Sequence, residues 1–520
     1  MFQALFSEPS QVLRRCCDVG KLDVSRQNVF VAAIAISSSL YLCYLLAVVV
    51  YNVYFHPLSK FPGPIWWGAT PIPYVWYQIT GRLPFVYEQL HERYGDVVRV
   101  LPYKLSFRTP AAWRDIYQIR PKQKLMTKDP KSLKPGSEGV YNIITSFNAA
   151  EHSRYHGKLS PAFSAQAAQA QEPIVMHHVD LLMKRLHECC VKGPQNIVKW
   201  SNMIYFDIVA DLTFGESLHS LEKGEPHSWL KGLFGSTMTM ITFHRAIGQF
   251  PHIAKFLKYF TPQVLIDQQV KHNDFVRQSV EHRMASKTDR RDFMSYILPY
   301  DENSASMSMS EVRATYGTLM LAGSENVATT FSFTIYHLLK NPDAMKKLVS
   351  EVRHNFSSAD EIDFRAANSL KYISAVVNES MRIHPAAPTS QPRVVPEGGA
   401  TVAGYWVPEE TRVAVPPYCM HHSPRYFKDP ESFIPERWLG DPRFDSDNRG
   451  VFHPFQLGPR ACAGQVLALA ELHIVLAKLL WNFDLQLDER CENWDENMKI
   501  FHLWQLQPLY VQLQPVQERM

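Results

Sequence analysis

The sequence predicts a mainly α, α+β fold: one helix-rich domain with a small β-rich part, preceded by a single N-terminal transmembrane helix. Three observations carry this reading. Val29–Tyr54 is mostly apolar and contains no charged residue. The pattern is mostly helical from about residue 150 to 290 and again in two later helices, and short strands separated by turn residues fill 392–415 (PRVVPEGGATVAGYWVPEETRVAV). Length alone would suggest three or four modules, but no repeat, low-complexity stretch or Gly/Ser linker divides the 520 residues. The predicted layout is a leader (1–28), an anchor (29–54), a proline-rich hinge (55–64) and one large domain (65–520).

The anchor comes first. About 20 apolar residues cross a bilayer core, so Val29–Tyr54 spans with some tilt, and Tyr41, Tyr44, Tyr51 and Tyr54 supply aromatic rings for an interface. The run is too long for the apolar region of a cleaved signal peptide, and it lacks the polar caps of a core helix. Arg14, Arg15, Lys21 and Arg26 precede it, and Lys60 follows closely. Charge counting alone would therefore place the N-terminus in the cytosol and the main domain in the lumen. Pro57 and Pro62-Gly63-Pro64 then form a stiff break that holds the domain at a set angle.

Within the domain, residues 83–94 read as a helix, and Val97–Val100 with Leu105–Phe107 as a hairpin. The apolar, aromatic segment 233–260 reads equally well as core, as a second membrane contact or as a roof over an apolar pocket. Ser308 and Glu311 form a capping box opening a long helix that runs to Lys340, where Asn341-Pro342 stops it. A helix over roughly 366–383 follows, then the strands, a long coil and an apolar helix starting near Ala463.

Composition excludes several functions. The net charge of +4, 54 basic against 50 acidic residues, is slight and evenly spread, which argues against nucleic acid. The eight cysteines, with adjacent pairs at Cys16-Cys17 and Cys189-Cys190, show neither a disulfide framework nor zinc spacing. Only Cys462 has neighbours that call for chemistry. It stands in Phe455-Gln-Leu-Gly458-Pro-Arg460-Ala-Cys462-Ala-Gly464, at the edge of the last apolar helix. Free amides and the helix dipole there favour thiolate. Gly458 and Gly464 let the backbone approach a flat ligand, Phe455 shields the sulfur, and Arg460 pairs with an acidic group on that ligand. A lone cysteine before a core helix is more often structural; five placed neighbours reverse that.

F-x-x-G-x-R-x-C-x-G resembles the haem-binding signature of the cytochrome P450 monooxygenases and matches it at every position. Glu379-Ser-Met-Arg382 resembles the family's E-x-x-R, and Pro435-Glu436-Arg437 resembles the segment whose arginine joins that pair into a clamp behind the haem. Similarity runs from the hinge to about residue 510. PLSKFPGP, LSPAFS and RVVPEGGATVAGYWVPE resemble microsomal enzymes of fungal secondary metabolism, similar to those oxidising trichothecene-type terpenoids and polyketides.

The resemblance implies the cytochrome P450 fold, one haem b, O2 as co-substrate and a lipophilic small-molecule substrate. It implies electrons from NADPH through a separate diflavin reductase, since the chain shows no G-x-G-x-x-G. It places the single-pass protein in the endoplasmic reticulum membrane with its catalytic domain cytosolic. This is preferred over the charge rule, whose count Asp18 and Asp23 weaken.

It also assigns roles. Cys462 becomes the axial ligand of the haem iron. Glu325, in Ala322-Gly323-Ser324-Glu325-Asn326, matches the acid that relays protons, and Asn326 replaces the usual threonine. Either the amide or a water stands in for the hydroxyl and hydroxylation or epoxidation survives, the preferred reading, or proton delivery changes and the reaction is unusual. His152-Ser-Arg-Tyr-His156 resembles [WH]-x-x-x-R with His156 at the arginine position; His152, His156, Arg393 and Arg460 are the propionate candidates. Ile143, Ile144, Phe147 and Ala322 are expected to line the pocket. The rivals are a same-fold enzyme that desaturates, couples or rearranges, and a non-enzymatic membrane haem sensor.

Overall fold

A computed structural model describes residues 10–516 apart from 122, 131, 132, 134, 137, 233–237, 251–261, 287 and 298–306. Helix α1 spans Ser10–Val50, and Tyr51–Phe55 continue it with a wider turn. Among the described residues, this helix already runs from Ser10, ahead of the apolar stretch. Asn28–Phe55, 28 residues with the apolar side chains turned outward, is long and apolar enough to cross a membrane.

The end of this helix is gripped by the domain. Arg99 lies on strand β1 (Val97–Leu101) and is 4% exposed. Its guanidinium donates to the Asn52 carbonyl at 2.8 Å and to the Pro102 carbonyl at 2.8 and 3.2 Å. Asn52 Nδ2 donates to Ala69 O at 2.9 Å, and Arg99 N donates to Pro62 O at 2.7 Å. Gly63 sits so close that a Cβ there would lie 2.6 Å from Arg99 O. The proline hinge is thus packed on the sheet edge, which fixes the direction in which the anchor leaves.

The helix Leu83–Tyr94 forms as the pattern predicts, with Pro84 in its first turn. β1 pairs antiparallel with β2 (Lys104–Phe107). Three further short strands complete a five-stranded sheet: β3 (Thr127–Lys128), β4 (Arg393–Val394) and β5 (Arg412–Ala414), in the order β1-β2-β5-β4-β3. β2 and β5 run parallel, and the other pairs run antiparallel.

The helical side centres on α2 (Ala149–Leu159), α3 (Ile197–Phe214), α4 (Met309–Lys340), α5 (Lys371–Ile383) and α6 (Gln465–Asn482). α3 and α6 are buried on most sides, and α4 lies against α3 and crosses the core. The Ser308–Glu311 capping box opens α4 in both directions. Pro342 closes it by starting the next helix, Pro342–Asn355.

Two expectations shift. The helix expected over 366–383 is split into Phe364–Ser369 and α5 by Leu370, whose backbone is extended. The cause is long-range: Glu351 accepts from Tyr372 N at 2.8 Å and Ile373 N at 3.0 Å, capping a new helix start. Of 233–260, Met238–Ile247 is helical and packs on the helix Ile72–Ile79, while 233–237 and 251–260 lie outside the described residues. Among cysteines with described side chains, Cys43, Cys189, Cys190, Cys419, Cys462 and Cys491 are free thiols.

Candidate active site

Cys462 precedes α6 by a tight turn rather than standing in its first turn. Its N–H donates to Phe455 O at 2.8 Å, closing the loop on itself. Gln456 at φ 65° and Gly458 at φ 75° make the loop's left-handed corners. At Gly458 a Cβ would lie 2.0 Å from Tyr117 O, a backbone atom that cannot swing aside. Gly458→Ala is therefore expected to destabilise the protein by at least about 2 kcal/mol, read as a lower Tm and lost cofactor content. Gly464, by contrast, has room: a Cβ there meets only the Phe163 ring, at 3.8 Å.

The Cys462 residue is exposed, so its sulfur is reachable. Desolvation pushes its thiol up, against the opposing pull of the Gly464 N–H donated to the sulfur. The dipole argument from sequence pointed downward; α6 begins only at Gln465, and burial dominates. Phe455 is half-buried against the main core. A surface cleft of about 310 Å3, lined by Leu218, His219, His227 and Phe275, gathers none of these residues, so concavity alone does not locate the chemistry.

Basic groups converge beside this loop. Arg460 donates to Ser146 O at 2.6 Å and Phe147 O at 3.2 Å, tying the Cys462 loop to the segment before α2. Burial and then Arg393 lower Arg460 to about 10. Arg393 is 3% exposed, lies 4.9 Å over the Tyr117 ring and, among the described residues, donates only to the Gln391 and Pro392 carbonyls. His152, buried on α2, is held down to about 3 by burial and by Arg460, Lys128, His156 and Arg393. His156 lies one turn on, ring centroids 6.0 Å apart.

Lys128 is the member that sequence reasoning missed. It pairs with Arg393 across β3–β4, donates to Ile144 O at 2.5 Å, and is lowered to about 7 by burial and the neighbouring cations. No motif marks the LMTKDP surroundings of Lys128 as functional; only the strand pairing brings Lys128 here. None of Lys128, His152, Arg393 and Arg460 forms an ion pair with a described carboxylate.

On α4, Glu325 is buried, one carboxylate oxygen lacks a partner, and desolvation raises it to about 8. Asn326 turns its Nδ2 back onto Ala322 O at 3.2 Å and leaves its buried Oδ1 without a partner. Asn142 ties the neighbouring loop to this helix through Thr318 Oγ1 at 2.7 Å. On that loop Ile143 packs on the core, Phe147 meets Tyr141 edge-on at 5.4 Å, and Ile144 is 43% exposed. Ala322 is half-buried.

Glu379, Arg382 and Arg437 meet at full burial, as their order along the chain suggested. Glu379 accepts from Arg382 at 2.8 and 2.9 Å, from Arg437 at 2.9 Å, from Trp438 Nε1 at 2.9 Å and from Ile434 N at 3.0 Å. Burial alone would raise its carboxyl, but the two guanidiniums hold it below the ordinary value.

The sequence model of the family described as Cytochrome P450 matches residues 67–513. Among similar proteins, the cytochrome P450 monooxygenase astA of Talaromyces wortmannii is 39% identical, over 92% of this chain and 96% of its own length. The trichothecene C-15 hydroxylase of Fusarium sporotrichioides is 37% identical, over 93% and 98%. The averantin hydroxylase of Dothistroma septosporum is 37% identical, over 91% and 90%. With an exposed cysteine in the signature loop and a match across nearly the whole domain, this chain belongs to the cytochrome P450 family and is a haem monooxygenase.

Proposed function

We propose that this chain inserts one oxygen atom from O2 into a lipophilic small molecule of fungal secondary metabolism, with Cys462 as the residue that would hold the iron of haem b. The observation that carries the assignment is the group Lys128, His152, Arg393 and Arg460, four buried or half-buried nitrogen bases beside the reachable Cys462 sulfur without a carboxylate among them. Unpaired buried cations are costly, and a flat ligand bearing two carboxylates, as haem does, would satisfy them. His156, one turn along the same helix, is a further nitrogen donor. A haem held there would supply reductive activation of O2, with the thiolate favouring O–O cleavage.

The chain's own residues do the rest. The Cys462 N–H bond to Phe455 fixes the sulfur's position, and the Gly464 N–H tempers its charge. Glu325 is largely protonated at neutral pH and acts as the proton donor. Asn326 presents its free Oδ1 as an acceptor in the same stretch of helix. Ala322, Ile143, Ile144 and Phe147 shape the apolar side of the pocket. Electrons come from NADPH through a separate diflavin reductase, and the anchor holds the protein in the endoplasmic reticulum with the domain cytosolic. The relatives' names, averantin hydroxylase and trichothecene C-15 hydroxylase, support a polyketide or terpenoid substrate.

The test is turnover under 18O2 in reductase-supplemented microsomes, using extracts of a host lacking this gene as the substrate source. One 18O atom in the product supports hydroxylation or epoxidation. A product differing only by two hydrogens would overturn it in favour of a desaturase in which Asn326 has altered proton delivery.

Glu325 gives this reading a pH dependence. Its carboxyl is raised from 4.5 to about 8, so burial costs little below pH 4.5 and destabilises progressively up to about pH 8. Proton donation follows the protonated fraction. Product formed per NADPH consumed is expected to fall as pH rises from 7 to 9, and to lose that dependence in Glu325→Gln.

A further inference from the structure

A second group of buried cations lies on the other face of the same sheet. Lys104 pairs with Arg412 across β2–β5, and Arg393 pairs with Val413. Strand alternation therefore turns Lys104 and Arg412 away from the face that carries Arg393. Lys104 is 4% exposed. Its ammonium lies 5.2 Å from the Tyr74 ring centre and 5.7 Å from that of Tyr87, and donates to Ser390 Oγ at 3.3 Å.

Arg245 reaches in from the helix Met238–Ile247 and donates to His502 Nδ1 at 2.6 Å. Gln249 ties the groups together: its Oε1 accepts from Tyr103 OH at 2.5 Å and Arg412 at 3.4 Å, and its Nε2 donates to Arg245 O at 3.0 Å.

The charges do not balance. Asp129 is held by Arg412 at 2.7 Å. Among the described residues, neither Lys104 nor Arg245 has a carboxylate within ion-pair distance. Desolvation, with Arg412 and Arg245 beside it, brings Lys104 down to about 7, and burial also lowers Arg245. Buried charge of one sign is stable only when something of the other sign completes it. Tyr103, Arg245, Gln249, Ser390 and His502 are only partly buried, so the group has an open side. The walls are largely aromatic: Tyr74, Tyr87 and Tyr103. Such walls suit an anion carried on an apolar body better than a free inorganic ion.

We propose that Lys104 and Arg245, supported by Arg412, Ser390 and His502, form a recognition site for the anionic group, a carboxylate or phenolate, of this enzyme's lipophilic substrate. This deepens the monooxygenase reading and rests on it. The other source of an anion here is a membrane lipid phosphate, since Ile72, Trp76 and Phe243 on the adjoining helices are exposed.

The experiment compares 2-naphthoic acid with its methyl ester as fluorescent ligands of the full-length holoenzyme in detergent. The acid is expected to bind about tenfold tighter, the scale of one charge-assisted hydrogen bond. Lys104→Met and Arg245→Met should each remove most of that preference and leave ester affinity within about twofold, while Lys104→Arg should retain it. Equal binding of acid and ester by the wild type, or a preference that survives both methionine variants, overturns the proposal.

A repeat in nanodiscs of phosphatidylcholine, with and without about one-third phosphatidylserine, separates the two anion sources. Loss of the acid preference only with the anionic lipid assigns the site to lipid phosphate and overturns the substrate reading. The carbon monoxide spectrum of the reduced wild type, recorded on the same sample, tests the haem-thiolate assignment separately. A normal spectrum without acid preference removes only the present inference.

Discussion

Cys462→Ala is expected to abolish oxygenation, by at least about a thousandfold, and to remove the thiolate signature from the carbon monoxide spectrum of the reduced protein. The fold should survive. The one hydrogen bond that shapes the loop at this residue is made by its backbone N–H to Phe455 O, which alanine retains. The side chain is exposed rather than part of the packed core, so little contact is lost. The corners that set the loop, Gln456 and Gly458, are untouched. The variant therefore separates chemistry from stability: Tm of the cofactor-free protein is expected within about 2 °C of wild type, with activity at background. Cys462→Ser, which keeps bulk but offers a weaker ligand, should also lose the thiolate spectrum. Full activity in either variant would sink the assignment of Cys462.

What could be read from sequence is what depends on near neighbours. The capping box at Ser308, the hairpin at Val97–Phe107 and the helix Leu83–Tyr94 all arise from residues within a few positions of each other. The Cys462 loop and the Glu379–Arg382 pair were legible because their spacing is itself the signal. What stayed hidden depends on partners far along the chain. Lys128 joins Arg393 only because two-residue strands pair across more than 260 positions. The break at Leu370 exists because Glu351, on the preceding long helix, caps a new start. Lys104 and Arg412 become neighbours only through a parallel pairing that sequence periodicity does not specify. The balance at the Cys462 thiol is hidden for a related reason: a dipole is read from local pattern, whereas desolvation is set by everything packed around the sulfur.

Glu379→Ala is expected to cost about 3–5 kcal/mol, the scale of breaking a buried ion pair from one side. Its carboxylate is the common acceptor for Arg382, Arg437, Trp438 and the Ile434 amide, and all three charged side chains are fully buried. Removing it leaves two guanidiniums facing each other without solvent. They do not lose every partner. Arg382 still donates to the carbonyls of His421, Pro430 and Ser432, and Arg437 to Asp447 at 2.5 Å. Those bonds keep the guanidiniums from moving out to water, so their repulsion cannot relax. The damage should also reach the active site. Trp438, released from Glu379, packs 4.6 Å from Phe452 on the strand of coil that leads into the Cys462 loop. Lower cofactor retention is therefore expected beside the lower Tm. Because Glu379 is ionised below the ordinary carboxyl range, its contribution is present above the unfolded carboxyl pKa and lost as pH falls through the lower folded value. Glu379→Ala should accordingly narrow the stability gap to wild type as the solution is acidified. A double variant, Glu379→Ala with Arg437→Met, should cost clearly less than the sum of the singles, since removing one guanidinium relieves the unpaired charge that the first change exposes. Additive costs in chemical denaturation would show that the three residues are packed together without acting as one clamp.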